Sequence, residues 1–132
     1  MQVLIDADNV GPSRVQPVLA AVAAMPARVS LVVSGRAEAL ARMSWPPGAR
    51  IIVATGWQRA DLALAEAYSH DEDPLILVSG DGDFALLAAR HTGPVLIVSS
   101  APSYRLTVSA TVTDPALEGP GTLQAWVRAV SG

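Results

Sequence analysis

The clearest indication of the fold is the segment Leu75–Phe84, with the sequence LILVSGDGDF. Its first four residues are apolar, as expected for a strand that is buried on both faces of a sheet. Two glycines and two aspartates follow, and apolar residues then resume at helical spacing. The sequence therefore predicts a buried strand, a tight turn allowed by the glycines, and a helix that starts beside Asp81 and Asp83. Phe84 is predicted to anchor this helix in the core.

A second strand with an acidic end lies near the N-terminus, where Val3–Ile5 runs directly into Asp6, Asp8 and Asn9. Outward from these two stretches, apolar β-branched runs alternate with segments of helical periodicity. The predicted strands are Val3–Ile5, Arg28–Val33, Arg50–Val53, Leu75–Val78 and Val95–Ser99, with Ala110–Thr113 as a short edge strand. The predicted helices are Val15–Ala24, Glu38–Met43, Asp61–Ser69, Phe84–Arg90 and Leu123–Val130, and Ala101–Ser109 is a polar loop or a degenerate helix.

This alternation predicts an α/β fold with a parallel sheet between two layers of helices. At 132 residues, one domain spanning residues 1–132 is expected. In such sheets, ligands bind beyond the carboxyl ends of the strands, at the point where the strand order reverses. Both acidic stretches follow strands, so we expect them to be neighbours in space.

The composition excludes several classes of protein. There is no run of about 18 apolar residues, so a membrane-spanning helix is not expected. The N-terminus has no basic region followed by an apolar one, so a signal peptide is not expected and a cytoplasmic location is the default. The absence of cysteine excludes disulfides and thiolate metal sites.

Charge narrows the range of partners. The net charge is −3, and every basic residue is an arginine. The absence of lysine excludes a P-loop and Schiff-base chemistry, and the acidic balance argues against nucleic-acid binding by bulk charge. A polyanion would have to be held by a few arginines and by metal.

Oxygen-bearing side chains gather at the predicted strand ends. The candidates are Asp6, Asp8, Asn9, Asp61, Asp81 and Asp83. Carboxylates within about 4–6 Å repel one another, and helix N-termini offset only some tenths of a kcal/mol at exposed sites. A divalent cation relieves the repulsion, and an oxygen-only ligand set suits Mg²⁺ or Mn²⁺. Metals held in this way are typical of enzymes that hydrolyse phosphodiesters.

The same residues allow simpler interpretations. Asp61 and Asp81 each occupy a position where aspartate caps a helix. The helix that begins at Asp61 is expected to bury Leu62. Trp57, which lies shortly before it, is a packing residue or a platform on which a base stacks.

Two other motifs overlap these residues. Gly80–Ala85 matches the dinucleotide pattern G-x-G-x-x-A, which we reject because its aspartates would face the pyrophosphate and no acidic residue follows the next strand. Asp6-Ala7-Asp8 resembles the first motif of haloacid dehalogenase-type phosphatases, with Ser34 as the second motif. Those enzymes need a lysine, for which Arg59 would have to substitute. A phosphatase with Asp6 as the covalent nucleophile remains an alternative.

Three stretches together resemble NYN domains, a branch of the PIN-like nucleases that includes LabA-like and limkain-type proteins. They are Ile5–Val10, Ala60–Leu64 and Val78–Phe84, and the last is similar to the family motif SGDxDF. The resemblance covers roughly residues 1–100. It implies a PIN-like three-layer α/β/α sandwich with a central, mainly parallel sheet of five or six strands, and metal-dependent cleavage of RNA.

The resemblance also implies roles for individual residues. Asp6, Asp61, Asp81 and Asp83 would be the catalytic acids that hold Mg²⁺ or Mn²⁺, with Asp8 as an optional further ligand. Asn9 would orient a water or a phosphate, and Ser79 would belong to the substrate-binding residues and support the acids by hydrogen bonds. Members of the family often carry a lysine shortly before the middle aspartate, where this chain has Arg59.

The first hypothesis is therefore a metal-dependent endoribonuclease that acts on single-stranded RNA, with Arg14, Arg36 and Arg59 as phosphate contacts. The phosphatase is the second hypothesis. The third is a non-catalytic NYN module that binds RNA or a protein. A homodimer is a further expectation, in which Trp126 on the last helix serves the interface rather than the core.

Overall fold

The computed structural model describes residues 1–25, 28–55, 59–108 and 110–131. The strands are β1 Gln2–Asp6, β2 Ser30–Gly35, β3 Arg50–Val53, β4 Leu75–Val78, β5 Val95–Val98 and β6 Thr111–Thr113. The helices are α1 Pro12–Ala23, α2 Ala37–Leu40, α3 Ala60–Ala67, α4 Ala85–Arg90, α5 Tyr104–Thr107, α6 Pro115–Glu118 and α7 Gly121–Ser131. A single 3-10 turn, Gly82–Phe84, precedes α4. Every predicted strand and helix is present, with boundaries shifted by a few residues.

The strands form one parallel sheet in the order β3-β2-β1-β4-β5-β6. The chain builds outward from β1 to β3 on one side, and then returns to β4 and builds outward on the other. The strand order therefore reverses between β1 and β4, and a crevice forms there beyond the carboxyl ends of the strands. The predicted α/β/α sandwich is confirmed, with six strands in the sheet, all of them parallel.

The core lies on both faces of the sheet. Val3 and Ile5 of β1 pack into one hydrophobic cluster together with α1 and α7, and Leu4 packs into the other together with α3 and α4. Burial on both faces explains why the strands are continuous apolar runs. Phe84 is almost completely buried in the second cluster, so its predicted role as an anchor is confirmed. Trp126 is half-buried against the first cluster.

Two details position the acidic residues. Asp6 belongs to β1 and lies in register with Ser34 of β2, so the sheet itself holds its backbone. In α3 the buried residues are Ala60, Asp61 and Leu64, of which Asp61 and Leu64 lie one turn apart on one face of the helix. The predicted burial of Leu62 is wrong, because this side chain is on another face and is 58% exposed.

The segment after β5 contains one helical turn, α5, which is closer to the predicted degenerate helix than to a loop. Trp57 and Ser109 lie outside the described residues. Across the described ranges, no helix has the length and hydrophobicity needed to cross a lipid bilayer.

Candidate metal centre

An open cleft of about 190 Å³ lies at the carboxyl ends of the central strands. We call it the acidic cleft, and the residues that line it are Asp6, Asp8, Asn9, Arg36, Arg59, Ala60, Asp61 and Asp81. They come from the ends of β1, β2 and β4 and from the start of α3. The fold therefore brings together acids that are far apart in sequence at the point where the strand order reverses.

Asp6 is the most deeply buried of these acids, with 4% of its surface exposed. Its Oδ2 accepts a hydrogen bond from Ser79 Oγ at 3.2 Å, whereas its Oδ1 is buried with no hydrogen-bond partner among the described residues. Burial raises the pKa of Asp6 to about 6, and the negative charges of Asp8 and Asp81 add to this effect, against the lowering influence of Ser79. A buried carboxylate oxygen without a hydrogen-bond partner costs free energy of folding, and a bound ligand would offset this cost.

Asn9 joins the two central strand ends. Its backbone N–H donates to the carbonyl oxygen of Asp6 at 3.1 Å, and its Oδ1 accepts from the backbone N–H of Gly80 at 2.8 Å. These bonds fix the loop after β1 against the turn after β4. Asn9 therefore positions the backbone on which Asp6 and Asp81 are carried.

Ser79 lies between the acids and is completely buried. Its hydroxyl donates to Asp6 and accepts from the backbone N–H of Asp81 at 3.1 Å. Because it is enclosed, its contribution is to the acids and not to direct contact with a substrate. In the next turn, Asp81 Oδ1 accepts from the backbone N–H of Asp83 at 2.9 Å, so Asp81 also caps the 3-10 turn, as the simpler interpretation predicted.

Three carboxylates converge at the edge of the cleft. Asp61, Asp81 and Asp83 each offer an oxygen within 4.8 Å of the others, which is a spacing that suits one shared cation. Asp61 is buried in the first turn of α3, and Asp83 is exposed at the rim. Asp8 also lines the cleft but is exposed, and its Oδ1 accepts from the backbone N–H of Arg36 at 2.9 Å.

Arg59 reaches these three carboxylates with a single nitrogen atom. Its Nη2 lies 3.0 Å from Asp61 Oδ2, 2.9 Å from Asp83 Oδ2 and 3.6 Å from Asp81 Oδ2. The negative charge of Asp61, followed by those of Asp83 and Asp81, raises the pKa of Arg59. The guanidinium therefore neutralises part of the cluster from an exposed position, with 60% of its side chain accessible.

The other predicted arginines differ in placement. Arg36 lines the acidic cleft beside Asp8. Arg14 instead forms a bidentate ion pair with Asp114, with Nε to Oδ1 at 2.9 Å and Nη2 to Oδ2 at 3.2 Å. This pair ties α1 to the start of α6, which gives Arg14 a structural contact at some remove from the acids.

Sequence reasoning missed two charged residues on this side of the sheet, one in the structural pair with Arg14 and one beside the turn after β4. Asp114 follows β6 directly, which is the same signal of an acid after a strand that identified Asp6 and Asp81. Arg105 lies on α5, and its Nη1 would be 3.6 Å from a Cβ placed on Gly82. No motif marks Arg105, because its position depends on how α5 packs against the turn after β4.

Comparisons with known proteins support the fold alone. No family model and no curated protein matches the chain. The crystal structure of a protein of unknown function from Vibrio parahaemolyticus is similar, with a TM-score of 0.59 and 20% sequence identity over 87% of this chain and 93% of that one. This similarity agrees with the α/β/α sandwich described above.

Proposed function

We propose that the acidic cleft binds Mg²⁺ or Mn²⁺ and that the protein is a metal-dependent ribonuclease that cleaves single-stranded RNA. The observation that carries the proposal is the buried, unpartnered Oδ1 of Asp6 in the same cleft as Asp61 and Asp81. A buried carboxylate oxygen without a partner destabilises the folded state, and a bound cation would offset this cost. The donors are carboxylate oxygens, as a hard divalent cation requires.

A bound divalent cation would supply Lewis acidity, which polarises a phosphoryl oxygen and makes a water more acidic. The side chains of the cleft would bind the ion and fix its position. Asp61, Asp81 and Asp83 would share one ion, and Asp6 would hold that ion or a second one from the floor of the same cleft. Ser79 keeps Asp6 in position. Asn9 holds the two strand ends together, so the carboxylates meet a phosphodiester in a fixed geometry.

Arg36 and Arg59 support binding of a phosphate. Both line the acidic cleft, and a guanidinium matches the geometry of phosphate oxygens. Without such cations, five aspartates around the cleft would repel a polyanion. The chain has no lysine to perform this task.

The proposal is tested by replacing one acid. Asp81→Asn is expected to abolish Mn²⁺-stimulated cleavage of a single-stranded RNA and to weaken Mn²⁺ binding measured by calorimetry. Asp73→Asn is the matched control, because Asp73 precedes β4 at the opposite end of the strand and is exposed. Full activity in Asp81→Asn would refute the proposed nuclease.

The ion pairs of Arg59 favour a second candidate, which is a non-catalytic RNA-binding module. In this module the guanidinium of Arg59, and not a metal ion, neutralises the three carboxylates. This candidate predicts RNA binding that is independent of divalent cations. Calorimetry that finds no binding of Mn²⁺ to the wild-type chain, together with intact binding of RNA, would favour it over the nuclease.

A further inference from the structure

The α5 segment is attached directly to the turn that carries two of the acids. The backbone N–H of Ser103, just before α5, donates to the carbonyl oxygen of Gly80 at 2.9 Å. Leu106 of α5 is completely buried in the second hydrophobic cluster. One turn of helix is thereby held in a fixed position beside the acidic cleft.

The two glycines of the turn make this contact close. A Cβ on Gly80 would lie 2.5 Å from Ser99 Oγ, and one on Gly82 would lie 2.8 Å from Ser103 Oγ. Neither glycine has a positive φ, so both are required for the approach of the neighbouring segment rather than for the turn itself. The start of α5, with Ser103 and Arg105, therefore lies next to the turn that carries Asp81 and Asp83.

The exposed side chains of α5 include an aromatic ring and a guanidinium, together with the hydroxyl of Thr107. Tyr104 is 78% exposed, and Arg105 is exposed with its Nη1 3.6 Å from the position of a Gly82 Cβ. Within the described ranges, the guanidinium of Arg105 has no hydrogen bond or ion pair. An exposed ring and an unpaired guanidinium on consecutive residues suit one nucleotide, because the base stacks on the ring and the adjacent phosphate binds the cation.

A second arginine lies on the other side of the two central strands. Arg36 follows β2, on one side of the central pair β1 and β4, and Arg105 follows β5, on the other side. A strand of RNA that crosses the acidic cleft would thus meet a guanidinium on each side. Arg14 does not compete for this role, since its charge is satisfied by Asp114.

We infer that Tyr104 and Arg105 form a binding subsite for one nucleotide of a single-stranded RNA, next to the metal centre. A base stacks on Tyr104, and an adjacent phosphate binds Arg105. The inference rests on the proposed function in one respect, which is that RNA is the polymer that enters the acidic cleft.

The test is fluorescence anisotropy with a short, labelled single-stranded RNA, in EDTA and again in Ca²⁺. Tyr104→Ala is expected to weaken binding by roughly 5- to 100-fold, the range for loss of one stacked base. Tyr104→Phe keeps the ring and is expected to bind as the wild type does. A fully paired RNA duplex has no unstacked base to offer, so its binding is expected to be insensitive to Tyr104→Ala.

Arg105→Ala has a second signature. It is expected to weaken binding about 5- to 10-fold and to reduce the dependence of log K on log salt by about 0.7, the contribution of one phosphate contact in a single strand. Arg90→Ala removes the same charge from the end of α4, and is expected to leave both quantities unchanged. Tyr104→Ala is expected to leave the salt dependence unchanged.

Hydrolysis of bis(p-nitrophenyl) phosphate by the wild type with Mn²⁺ separates the proposed function from this inference, because the assay tests the metal chemistry without RNA. Weakened RNA binding in both alanine variants supports the subsite, whatever the outcome of the hydrolysis assay on the wild type. If the wild type binds RNA but neither binds Mn²⁺ nor hydrolyses the diester, the nuclease fails, and the subsite stands on the loss of affinity alone. RNA affinity that is undetectable in the wild type, or unchanged in both alanine variants, would overturn the inference.

Discussion

Ser79 Oγ lies 3.2 Å from Asp6 Oδ2 and donates a hydrogen bond to it, and this contact joins the ends of β4 and β1. The same hydroxyl accepts from the backbone N–H of Asp81. One buried serine therefore connects the two strand ends that the chain places on either side of the reversal in strand order. It also keeps the pKa of Asp6 lower than burial alone would allow.

Replacing this serine is expected to weaken metal binding. Ser79→Ala removes the hydrogen bond that lowers the pKa of Asp6. The carboxylate then holds its proton more firmly, and a cation has to displace that proton in order to bind. We expect the Mn²⁺ affinity measured by calorimetry at pH 7 to fall by about 10-fold. Ser34→Ala is the control, because Ser34 is equally buried at the end of β2 but donates to the carbonyl oxygen of Ile52. Equal affinities in the two variants would contradict the prediction.

The buried carboxylate of Asp6 is expected to make the metal-free protein less stable as the pH rises. Its folded-state pKa of about 6 lies above the ordinary value of 3.8, so the unfolded chain releases this proton first. The free energy of unfolding should therefore fall between about pH 4 and about pH 6, by about 2–3 kcal/mol from this group.

Asp6→Asn removes this titration. In EDTA at pH 7.5, we expect its free energy of unfolding to exceed that of the wild type, and at about pH 4 we expect the two to be similar. Urea denaturation at both pH values measures the difference, with Glu66→Gln on the exposed face of α3 as the control. A loss of stability in Asp6→Asn at pH 7.5 would show that the charged form is the one the fold prefers.

The same pKa predicts the pH dependence of metal binding. Below about pH 6, Asp6 holds a proton that a cation must displace, so Mn²⁺ affinity should fall as the pH is lowered through about 6. Calorimetry between pH 5 and pH 8 in buffers of different ionisation enthalpy would also measure the proton released. Affinity that stays constant over this range would mean that Asp6 is not a ligand.

Arg59 is expected to compete with a bound cation. Its Nη2 contacts the oxygens of Asp61 and Asp83 that a cation would share. Arg59→Met should therefore increase Mn²⁺ affinity by roughly 10-fold or more. In EDTA it should lower the melting temperature, because the carboxylates lose their partner. Arg128→Met on α7 is the control, and a fall in Mn²⁺ affinity in Arg59→Met would mean that Arg59 assists the ion.

The close approach at Gly80 predicts a cost for any side chain at this position. Gly80→Ala would place a Cβ 2.5 Å from Ser99 Oγ and 3.1 Å from the carbonyl oxygen of Ala101. We expect a loss of about 1–3 kcal/mol in the free energy of unfolding. Gly11→Ala is the control, because nothing lies within 4 Å of a Cβ there. If Gly80→Ala were as stable as Gly11→Ala, the segment after β5 would have to move to make room for the Cβ at little cost.

Cleavage assays also distinguish the nuclease from the phosphatase. A nuclease acts on diesters and leaves Asp6 unmodified, whereas a phosphatase with a nucleophilic Asp6 turns over an aryl monoester. We expect no turnover of the monoester and no trapping of Asp6 by a metal fluoride. Trapping of Asp6 would replace the proposed function with the phosphatase.

The class of fold, and the acids that line the cleft, could be predicted from the sequence. Local hydrophobic patterns set the strands, because a strand buried on both faces has to be apolar along its whole length. Acids that follow such strands, as Asp6 and Asp81 do, must share one edge of a parallel sheet. The distance between Asp6 and Asp81 also depends on which strands are neighbours. The hydrophobic pattern is consistent with the observed order of strands but does not predict it.

The contacts of the remaining charged residues depend on tertiary packing and could not be predicted from the sequence. Arg59 bridges Asp61 and Asp83, Arg14 pairs with Asp114, and Arg105 lies beside Gly82. Each of these contacts joins side chains by the packing of separate elements or by a choice of rotamer. A linear pattern reports which residues share a strand or a helix face, but it does not report which elements touch.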